Sequence, residues 1–366
     1  MLRFAIYVLG LALVAWTLLS VTRTVVLPRS AQSLLGRMVF RSVSAVFRII
    51  AGERTSFAWR DQVMALLAPI GLLTLIVVWV ILVLIGYMGM FWAVQDQGWA
   101  EAFFISGSSL LTLGFAGAET FWERLLAFTE ATIGLGLVAL LISFFPALYS
   151  NFQRRERKVG ELEVRAGTPP SAVVFVSRHH AIGWLGDMRK VWLDWEGWFL
   201  DIQESHTSYP ALNFFRSPMP DHHWVTAAGT VLDSAGLVVA ACDLPDQPEA
   251  QVCIRAGFIA LRRIADFFGI EYDPDPAPDD PISISRTEFD EAYAALAEAG
   301  VPLKPDIDQA WTDWAGWRVN YDTVLLDLAE LTMAPYAPWT ADRSSPRHVQ
   351  PRLRRWGKRV AVKLTP

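Results

Sequence analysis

The residues with the most distinctive chemical potential lie in the run Thr112-Leu113-Gly114-Phe115-Ala116-Gly117. A cation that loses its water needs a ring of oxygens in return, and backbone carbonyls with a threonine hydroxyl can supply them. Carbonyls that line one side of a chain require alternating left-handed and right-handed backbone, which glycine adopts at little steric cost. Gly114 and Gly117 fit that requirement, so the run predicts a cation-coordinating loop.

Acidic residues surround this run, and basic residues are absent from it. Residues 61–123 contain no Lys or Arg, so the local field favours cations over anions. The sequence therefore predicts an acidic mouth beside the loop, made by Asp96, Glu101, Glu119 and Glu123.

The apolar segment after the loop carries one ionisable residue and two nearby glycines. Glu130 lies inside a long apolar run, where an ionisable group is a functional candidate. It could hydrogen-bond a short helix behind the loop, or lie near enough to the surface to reach water. Gly134 and Gly136 permit either close helix packing or a gating bend.

The elements that must position these residues are apolar helices. The chain has 366 residues, of which 53% are hydrophobic and only 19% charged. Three segments are long enough to cross a bilayer, at residues 4–28, 63–92 and 120–150. We expect the first to be a retained helix rather than a signal peptide. A shorter helix at 99–111 is too short to cross, so it should enter and return.

The distribution of charge predicts the orientation of these segments. Residues 1–158 carry 13 Lys and Arg against 8 Asp and Glu, residues 159–342 carry 11 against 29, and residues 343–366 carry 8 against none. Because cytoplasmic loops are enriched in Lys and Arg, the 29–61 loop and the 154–158 cluster are predicted to be cytoplasmic. The N-terminus is then outside, and the acidic domain and basic tail are inside, in a bacterial-type inner (plasma) membrane.

The 29–61 linker contains a basic amphipathic helix. Arg37, Arg41 and Arg48 share one helical face, and apolar residues lie mostly on the other. Such a helix suits the surface of a membrane that contains anionic lipid. The alternative is an ordinary helix packed on the protein itself.

The order of elements resembles the two-transmembrane bacterial potassium channel family over about residues 62–157. The filter of that family reads T-V-G-Y-G or T-x-G-F-G, and here Thr112 to Ala116 take the five positions. The resemblance implies an all-α membrane protein with a re-entrant pore helix and filter loop. It further implies a homotetramer that conducts potassium, has no cofactor, and is gated by movement of the inner helix under its cytoplasmic domain.

Two departures from that family pattern bear on selectivity. Ala116 replaces the fifth glycine, and a left-handed non-glycine residue costs about 1 kcal/mol or more. Gly117 replaces the acidic residue that commonly follows. A weakly selective cation channel, or a non-conducting membrane-tethered signalling or scaffold protein, therefore stay open as alternatives.

Residues 171–342 are predicted to form a mainly α-helical cytoplasmic domain. No G-x-G-x-x-G turn is present, so a Rossmann-type regulator is not expected. Asp221 should start one helix, and Ser285 with Glu288 should cap another. The predicted helices are 171–180, 185–203, 207–215, 222–242, 250–268, 286–299 and 306–334.

Catalysis and resident metal binding are not indicated. The paired histidines 179–180 and 222–223 lack zinc-ligand spacing, and no G-x-S-x-G nucleophile turn occurs. Arg255, Arg262 and Arg263 with Asp266, and Arg318 with Asp313 and Asp322, are predicted to form ion pairs that tie helices together, with an anion site as the alternative. The Trp run at 184, 192, 195 and 198 should be core or interface.

The tail at 343–366 is basic and broken by prolines. Anionic lipid and the acidic surface of the domain are its expected partners, and a solvated tail is the alternative. No specific nucleic-acid binding is expected.

Overall fold

A computed structural model describes residues 1–26, 33–51, 57–95 and 98–344. Within these ranges most of the chain is helical, and no β-strand occurs. Asp96 and residues 345–366 of the predicted tail lie outside the described residues, and of Arg48 only the helical backbone is described.

Three helical segments in the described part are long and apolar enough to cross a membrane, which confirms the predicted number. They are Leu2–Val25, Gln62–Val94 and Phe121–Ala166. The first comprises α1 (Leu2–Val21), which passes into a π-helical turn at Thr22–Val26. α2 (Leu34–Ala51) follows. The chain is therefore an all-α protein with the composition of a membrane protein.

The second segment is interrupted near its start. α3 (Phe57–Ala65) and α4 (Leu67–Val94) are separated at Leu66. Pro69 lies in the first turn of α4 and has no N–H to donate to the carbonyl of residue 65, so the hydrogen-bond ladder cannot run through this point. α1 packs along α4, where the indole N–H of Trp79 donates to Ser20 Oγ at 3.2 Å.

α5 (Trp99–Leu110) is the short helix predicted before the loop. It packs against both α4 and the long helix α6 (Phe121–Ala166). The ring of Trp99 stacks on Trp92 at the end of α4, with 4.7 Å between the ring centroids. α5 is therefore held between the two long apolar helices.

α6 is longer than the sequence predicted. The helix was expected to end near residue 150, but it continues to Ala166 and ends at Gly167, which has a φ of 80°. Val159 and Leu162, on this extension, are buried in the core of the following domain. One helix thus belongs both to the apolar bundle and to the C-terminal domain.

The C-terminal domain is a helical assembly around α9 (Trp224–Ala240), whose residues are almost all buried. Trp192, Trp195 and Trp198 contribute to its core as predicted, whereas Trp184 is exposed. The other helices are α7 (Ala172–Ala181), α8 (Arg189–Ser208), α10 (Pro248–Phe268), α11 (Arg286–Glu298), α12 (Ile307–Arg318) and α13 (Asp322–Thr332).

Three details of the predicted domain were wrong. The 207–215 segment is not an α-helix but a 3₁₀-helix, Pro210–Phe214, because Pro210 cannot continue α8. The 306–334 helix is divided into α12 and α13. His223 rather than Asp221 caps α9, since its Nδ1 accepts from the N–H of Val225 at 3.2 Å. The predicted capping box of Ser285 and Glu288 is confirmed.

Candidate functional site

The segment from Thr112 to Gly117 connects α5 to the turn before α6, and most of it is exposed in the single chain. Thr112 and Gly114 have positive φ values of 53° and 73°, and Leu113 between them does not. Positive and non-positive φ values therefore alternate over these three residues. Gly114 takes the conformation that its side-chain-free backbone allows.

Three of the six amide groups of this segment are bound to α5. The N–H of Leu113 donates to the carbonyl of Ser108 at 2.8 Å, and that of Thr112 donates to Ser109 O at 3.1 Å. The N–H of Ala116 donates to the hydroxyl of Ser108, also at 3.1 Å. The C-terminal turn of α5 therefore holds the loop by accepting hydrogen bonds from three of the loop's N–H groups.

The carbonyl groups of the same segment are left free. Within the described ranges, the carbonyl oxygens of Thr112, Leu113, Gly114 and Phe115 accept no hydrogen bond. Backbone carbonyls that nothing pairs must find water, a partner chain or a cation. The loop therefore offers acceptors and no free amide donor at residues 112 and 113.

One expectation about the outer part of the loop was wrong. Gly117 was expected to supply left-handed backbone, yet its φ is not positive. Ala116 also has no positive φ, so it avoids the left-handed conformation that is costly for a non-glycine residue. The hydrogen bond to Ser108 holds Ala116 in ordinary backbone instead, so the alternating pattern stops before the fifth position.

Glu130 lies directly behind α5. Its side chain is fully buried, and Oε1 lies 2.6 Å from the hydroxyl of Ser106. The same hydroxyl lies 3.2 Å from the carbonyl of Leu84 in α4. Oε2 of Glu130 has no partner in the described structure. Of the two sequence interpretations, contact with the short helix is confirmed and exposure to water is not.

Gly134 is required by close packing of α6 against the end of α5. A Cβ atom at this position would lie 2.2 Å from the carbonyl oxygen of Leu110, well inside contact distance. A Cβ atom at Gly136 would meet nothing within 4 Å. The structure therefore assigns Gly134 to packing, and leaves Gly136 on an open face of the helix.

The acidic residues of the predicted mouth have different environments. Glu101 and Glu119 line an open depression of about 680 Å³ beside Phe115 and Ala116. Glu123 is buried instead, where it completes a capping box with Thr120 at the start of α6. Arg124, one residue beyond the segment without basic residues, also lines the depression and donates to Ala118 O at 3.1 Å.

Arg155 forms a joint that sequence reasoning missed. It lies on the extension of α6 and is buried, and its guanidinium donates to the carbonyls of Leu212 and Phe215, each at 2.7 Å. Those carbonyls belong to the 3₁₀ region after α8. The sequence signal, a cluster of five charged residues after an apolar helix, indicated only a membrane boundary.

The same 3₁₀ region also contacts the apolar bundle. Leu212 packs in one cluster with Leu72 of α4 and with Phe144 and Leu148 of α6. The ring of Tyr209 lies against Phe144, with centroids 5.6 Å apart. Residues 209–215, called the joint segment below, therefore connect the domain with two long helices.

Two buried histidines flank this joint. Nε2 of His206 lies 3.3 Å from the guanidinium of Arg155, and Nδ1 lies 3.1 Å from the hydroxyl of Ser205. The hydroxyl itself donates to Asp201 O, so Nδ1 carries the ring proton and Nε2 accepts from Arg155. Burial, together with Arg155, holds the pKa of His206 well below its usual range.

His223 shares that environment. Burial holds its pKa well below the usual range, and the charges of Arg216 and Arg155 add to the shift. Both rings lie close to Trp224, at 4.8 Å for His206 and 6.1 Å for His223. The two histidines are therefore neutral parts of a packed joint.

The predicted ion pairs of the C-terminal domain are confirmed for Arg318 and Asp322 only. Arg318 is buried, contacts Asp322 at 2.7 Å and also binds both carboxylate oxygens of Asp233 on α9. Asp313 bonds Gln309 instead. Arg262 donates to Asn320 O and Pro274 O rather than to Asp266. These contacts hold helices together.

Arg343 belongs to the folded domain, although it was assigned to the tail. Its guanidinium donates to Glu288 Oε1 at 2.6 Å, and this contact lowers the pKa of Glu288 to about 2. Among the residues that the structure describes, no group of three or more His, Cys, Asp or Glu is arranged to hold a metal ion.

Comparisons with protein-family models, with curated proteins and with solved structures found no match to this chain.

Proposed function

We propose that the chain is the pore-forming subunit of a homo-oligomeric, tetrameric cation channel, with potassium as the permeant ion. In this proposal α5 is the pore helix, residues 112–117 form the filter, and α6 is the inner helix. The observation that carries it is the loop after α5, where the N–H groups of Thr112 and Leu113 are bound while the carbonyls of residues 112–115 have no donor in the described part of the chain.

This arrangement supports a cation as the permeant ion. A dehydrated cation needs oxygen acceptors, whereas an anion needs N–H or O–H donors. Three of the six amides of the loop, those of Thr112, Leu113 and Ala116, are occupied by α5, whereas the carbonyls of residues 112–115 accept no hydrogen bond in the described part of the chain, so free acceptors outnumber free donors. Glu101 and Glu119 beside the loop add negative field and raise the local concentration of cations.

An oligomer is part of the proposal because one loop cannot enclose a pathway. Free carbonyls within a membrane must face protein or water rather than lipid. Leu113 and Phe115 of the loop are exposed in the single chain, as is a stripe along α6 at helical spacing. Neighbouring copies would cover these side chains. The stripe contains Phe121, Leu125, Phe128, Leu135, Ile142 and Tyr149.

Gating is assigned to α6 and the C-terminal domain. Arg155 holds the joint segment by two hydrogen bonds of 2.7 Å, so movement of the domain would be transmitted to the inner helix. A lysine at this position has one nitrogen and cannot donate in the same fork geometry. Arg155→Lys should therefore change open probability, whereas Arg154→Gln, which alters a half-exposed residue 3.8 Å from Asp201, should not.

The proposal is tested by flux through liposomes that contain the purified oligomer. Gly114→Pro should abolish potassium flux, because proline cannot adopt the φ of 73° at this position. Gly197→Ala is the matched control, since a Cβ atom there meets nothing within 4 Å. Gel filtration should show that both variants keep the oligomeric state.

The alternatives predict different results in the same assay. Equal sodium and potassium flux would replace potassium selectivity with weak cation selectivity, which the ordinary backbone of Ala116 could produce. Absence of any cation flux from a folded oligomer would reject the channel and favour a membrane-tethered scaffold.

A further inference from the structure

α2 has two apolar faces, and only one of them is covered. Leu35, Val39 and Phe47 are buried in the clusters that α2 forms with α4 and its neighbours. A second set of apolar side chains on the same helix is exposed to an unusual degree for a helix bound to its own protein. These are Leu34, Met38, Val46, Ile49 and Ile50, called the open face below.

α2 lies beside the N-terminal half of α4. Phe40 packs against Gly71, and Phe47 clusters with Val63 and Leu67. Val25, just after α1, and Phe144 of α6 lie in one cluster near Leu72. This is the end of the bundle at which α1 ends and at which the apolar part of α6 gives way to the basic cluster at 154–158.

Two arginines accompany the open face. Arg41 is exposed, and Arg37 precedes the exposed Met38. Nε of Arg37 is buried and has no acceptor in the described structure. In that part of the chain, no carboxylate forms an ion pair with either guanidinium. Guanidinium donors without a protein carboxylate are suited to phosphate oxygens.

We propose that α2 is a binding site for anionic phospholipid in the leaflet at this end of the bundle. The open face lies in the acyl region, and Arg37 and Arg41 bind the headgroup phosphate. This site does not depend on whether the chain conducts ions. It needs only the three apolar helices to cross a bilayer.

Lipid is favoured over a second copy of the chain as the occupant of the open face. Apolar side chains are also exposed at Leu66, just before α4, and at Ile70 and Leu73 in its N-terminal half, as expected for a lipid-facing side of a spanning helix. A symmetric contact through this face would also bring the arginines of two copies together. Like charges oppose such a contact, whereas a phosphate is attracted by both arginines.

The test measures lipid binding to the full-length protein in detergent by native mass spectrometry. Phosphatidylglycerol should bind more tightly than phosphatidylcholine with the same acyl chains. Arg37→Gln with Arg41→Gln should weaken phosphatidylglycerol binding about thirtyfold, from about 1 kcal/mol for each charge near a membrane surface. Arg37→Lys with Arg41→Lys should retain most of it, which separates loss of charge from loss of folding.

A matched control removes two arginines elsewhere. Arg189→Gln with Arg263→Gln, both exposed on the C-terminal domain, should leave phosphatidylglycerol binding unchanged. Equal weakening by the two double variants, or an unchanged affinity of the Arg37→Gln/Arg41→Gln variant, would overturn the proposal.

The apolar half of the site has its own test. Met38→Gln with Ile49→Gln should weaken binding of both lipids, whereas Leu193→Gln with Leu200→Gln, at exposed positions of α8, should not. If the α2 variant instead lowers the oligomeric mass with lipid binding unchanged, the face is covered by another copy and the lipid site is rejected. Displacement of phosphatidylglycerol by equimolar inorganic phosphate would likewise reject it in favour of a free-anion site.

Discussion

The hydroxyl of Ser106 on α5 lies 2.6 Å from Oε1 of Glu130 on α6, and both side chains are buried. Two residues later on α5, the hydroxyl of Ser108 binds the amide of Ala116 in the loop. The long helix α6, the short helix α5 and the loop are therefore connected through two serine hydroxyls. A change at Glu130 should reach the loop through α5.

A double-mutant cycle measures the first of these connections. Glu130→Ala should lower the free energy of unfolding by about 1–3 kcal/mol, because it leaves a cavity and removes a buried hydrogen bond. Ser106→Ala should lower it by less, and the double variant should show a coupling free energy of about 0.5–3 kcal/mol. Denaturant unfolding of the oligomer in detergent provides the measurement.

Glu130→Gln is the conservative variant in that series. Its amide can donate to Ser106 Oγ while Ser106 donates to Leu84 O, so stability and cation flux should stay close to those of the parent. Additive effects of Glu130→Ala and Ser106→Ala would show that the 2.6 Å contact contributes no coupling.

The two glycines of α6 should respond oppositely to the same substitution. Gly134→Ala puts a methyl group 2.2 Å from Leu110 O, at the end of α5, and should destabilise the protein by about 1–3 kcal/mol. Gly136→Ala meets no atom and should be neutral or stabilising by up to about 1 kcal/mol, since alanine favours helix. Thermal unfolding and flux of the two variants are compared side by side. A stable, conducting Gly134→Ala variant would contradict the close packing.

Much of the bundle could be predicted because its signals are local. The lengths of the apolar segments predicted three long helices. The segment at 99–111 was predicted to be a short helix because it has too few residues to cross a bilayer. The capping box of Ser285 and Glu288 was also readable, because its two residues are three positions apart.

The features that were missed depend on distant residues. α12 and α13 separate near Asn320, whose carbonyl accepts from Arg262 Nε, 58 positions earlier. No proline lies between residues 306 and 334, so the sequence does not indicate a turn within this segment. Likewise the carbonyls that accept from Arg155 lie 57 and 60 positions further along the chain. The residues next to Arg155 in the sequence therefore could not predict its contact with the joint segment.

The buried histidines of the joint predict a loss of stability in mild acid. His206 and His223 have pKa values well below the usual value of about 6.5, with burial as the largest cause. Above pH 6.5 both imidazoles are neutral in the folded and in the unfolded chain, so they cause no loss of stability. As the pH falls below 6.5, the unfolded chain binds protons that the folded chain does not, so stability decreases by up to about 1.4 kcal/mol per pH unit for each histidine.

Unfolding measured from pH 7.5 to 5 tests this dependence. His206→Gln keeps an acceptor for Arg155, and His223→Asn keeps a cap for α9, so the double variant should fold. Its stability should vary less with pH in this range than that of the parent, and the dependence that remains is assigned to His179, whose pKa is also lowered by burial. The ion pair of Glu288 and Arg343 does not add to the pH dependence in this range. The pKa of Glu288 is lowered to about 2, so the stability that this pair contributes is lost only below about pH 4.5. An unchanged slope in the double variant would assign the acid sensitivity to other groups.

Adjacent serines on α5 provide the most selective test of the loop. Ser108→Ala removes the acceptor of the Ala116 amide, whereas Ser109 uses only its backbone carbonyl, so Ser109→Ala is a control of equal size and position. Without the 3.1 Å contact, the outer part of the loop has one anchor fewer and its carbonyls can move apart. We therefore expect Ser108→Ala to lower the ratio of potassium to sodium permeability several-fold, with total cation flux retained, and Ser109→Ala to leave that ratio unchanged. Bi-ionic reversal potentials in planar bilayers give the ratio directly. Equal ratios in the two variants would mean that the backbone contacts of Thr112 and Leu113 alone set the geometry of the loop.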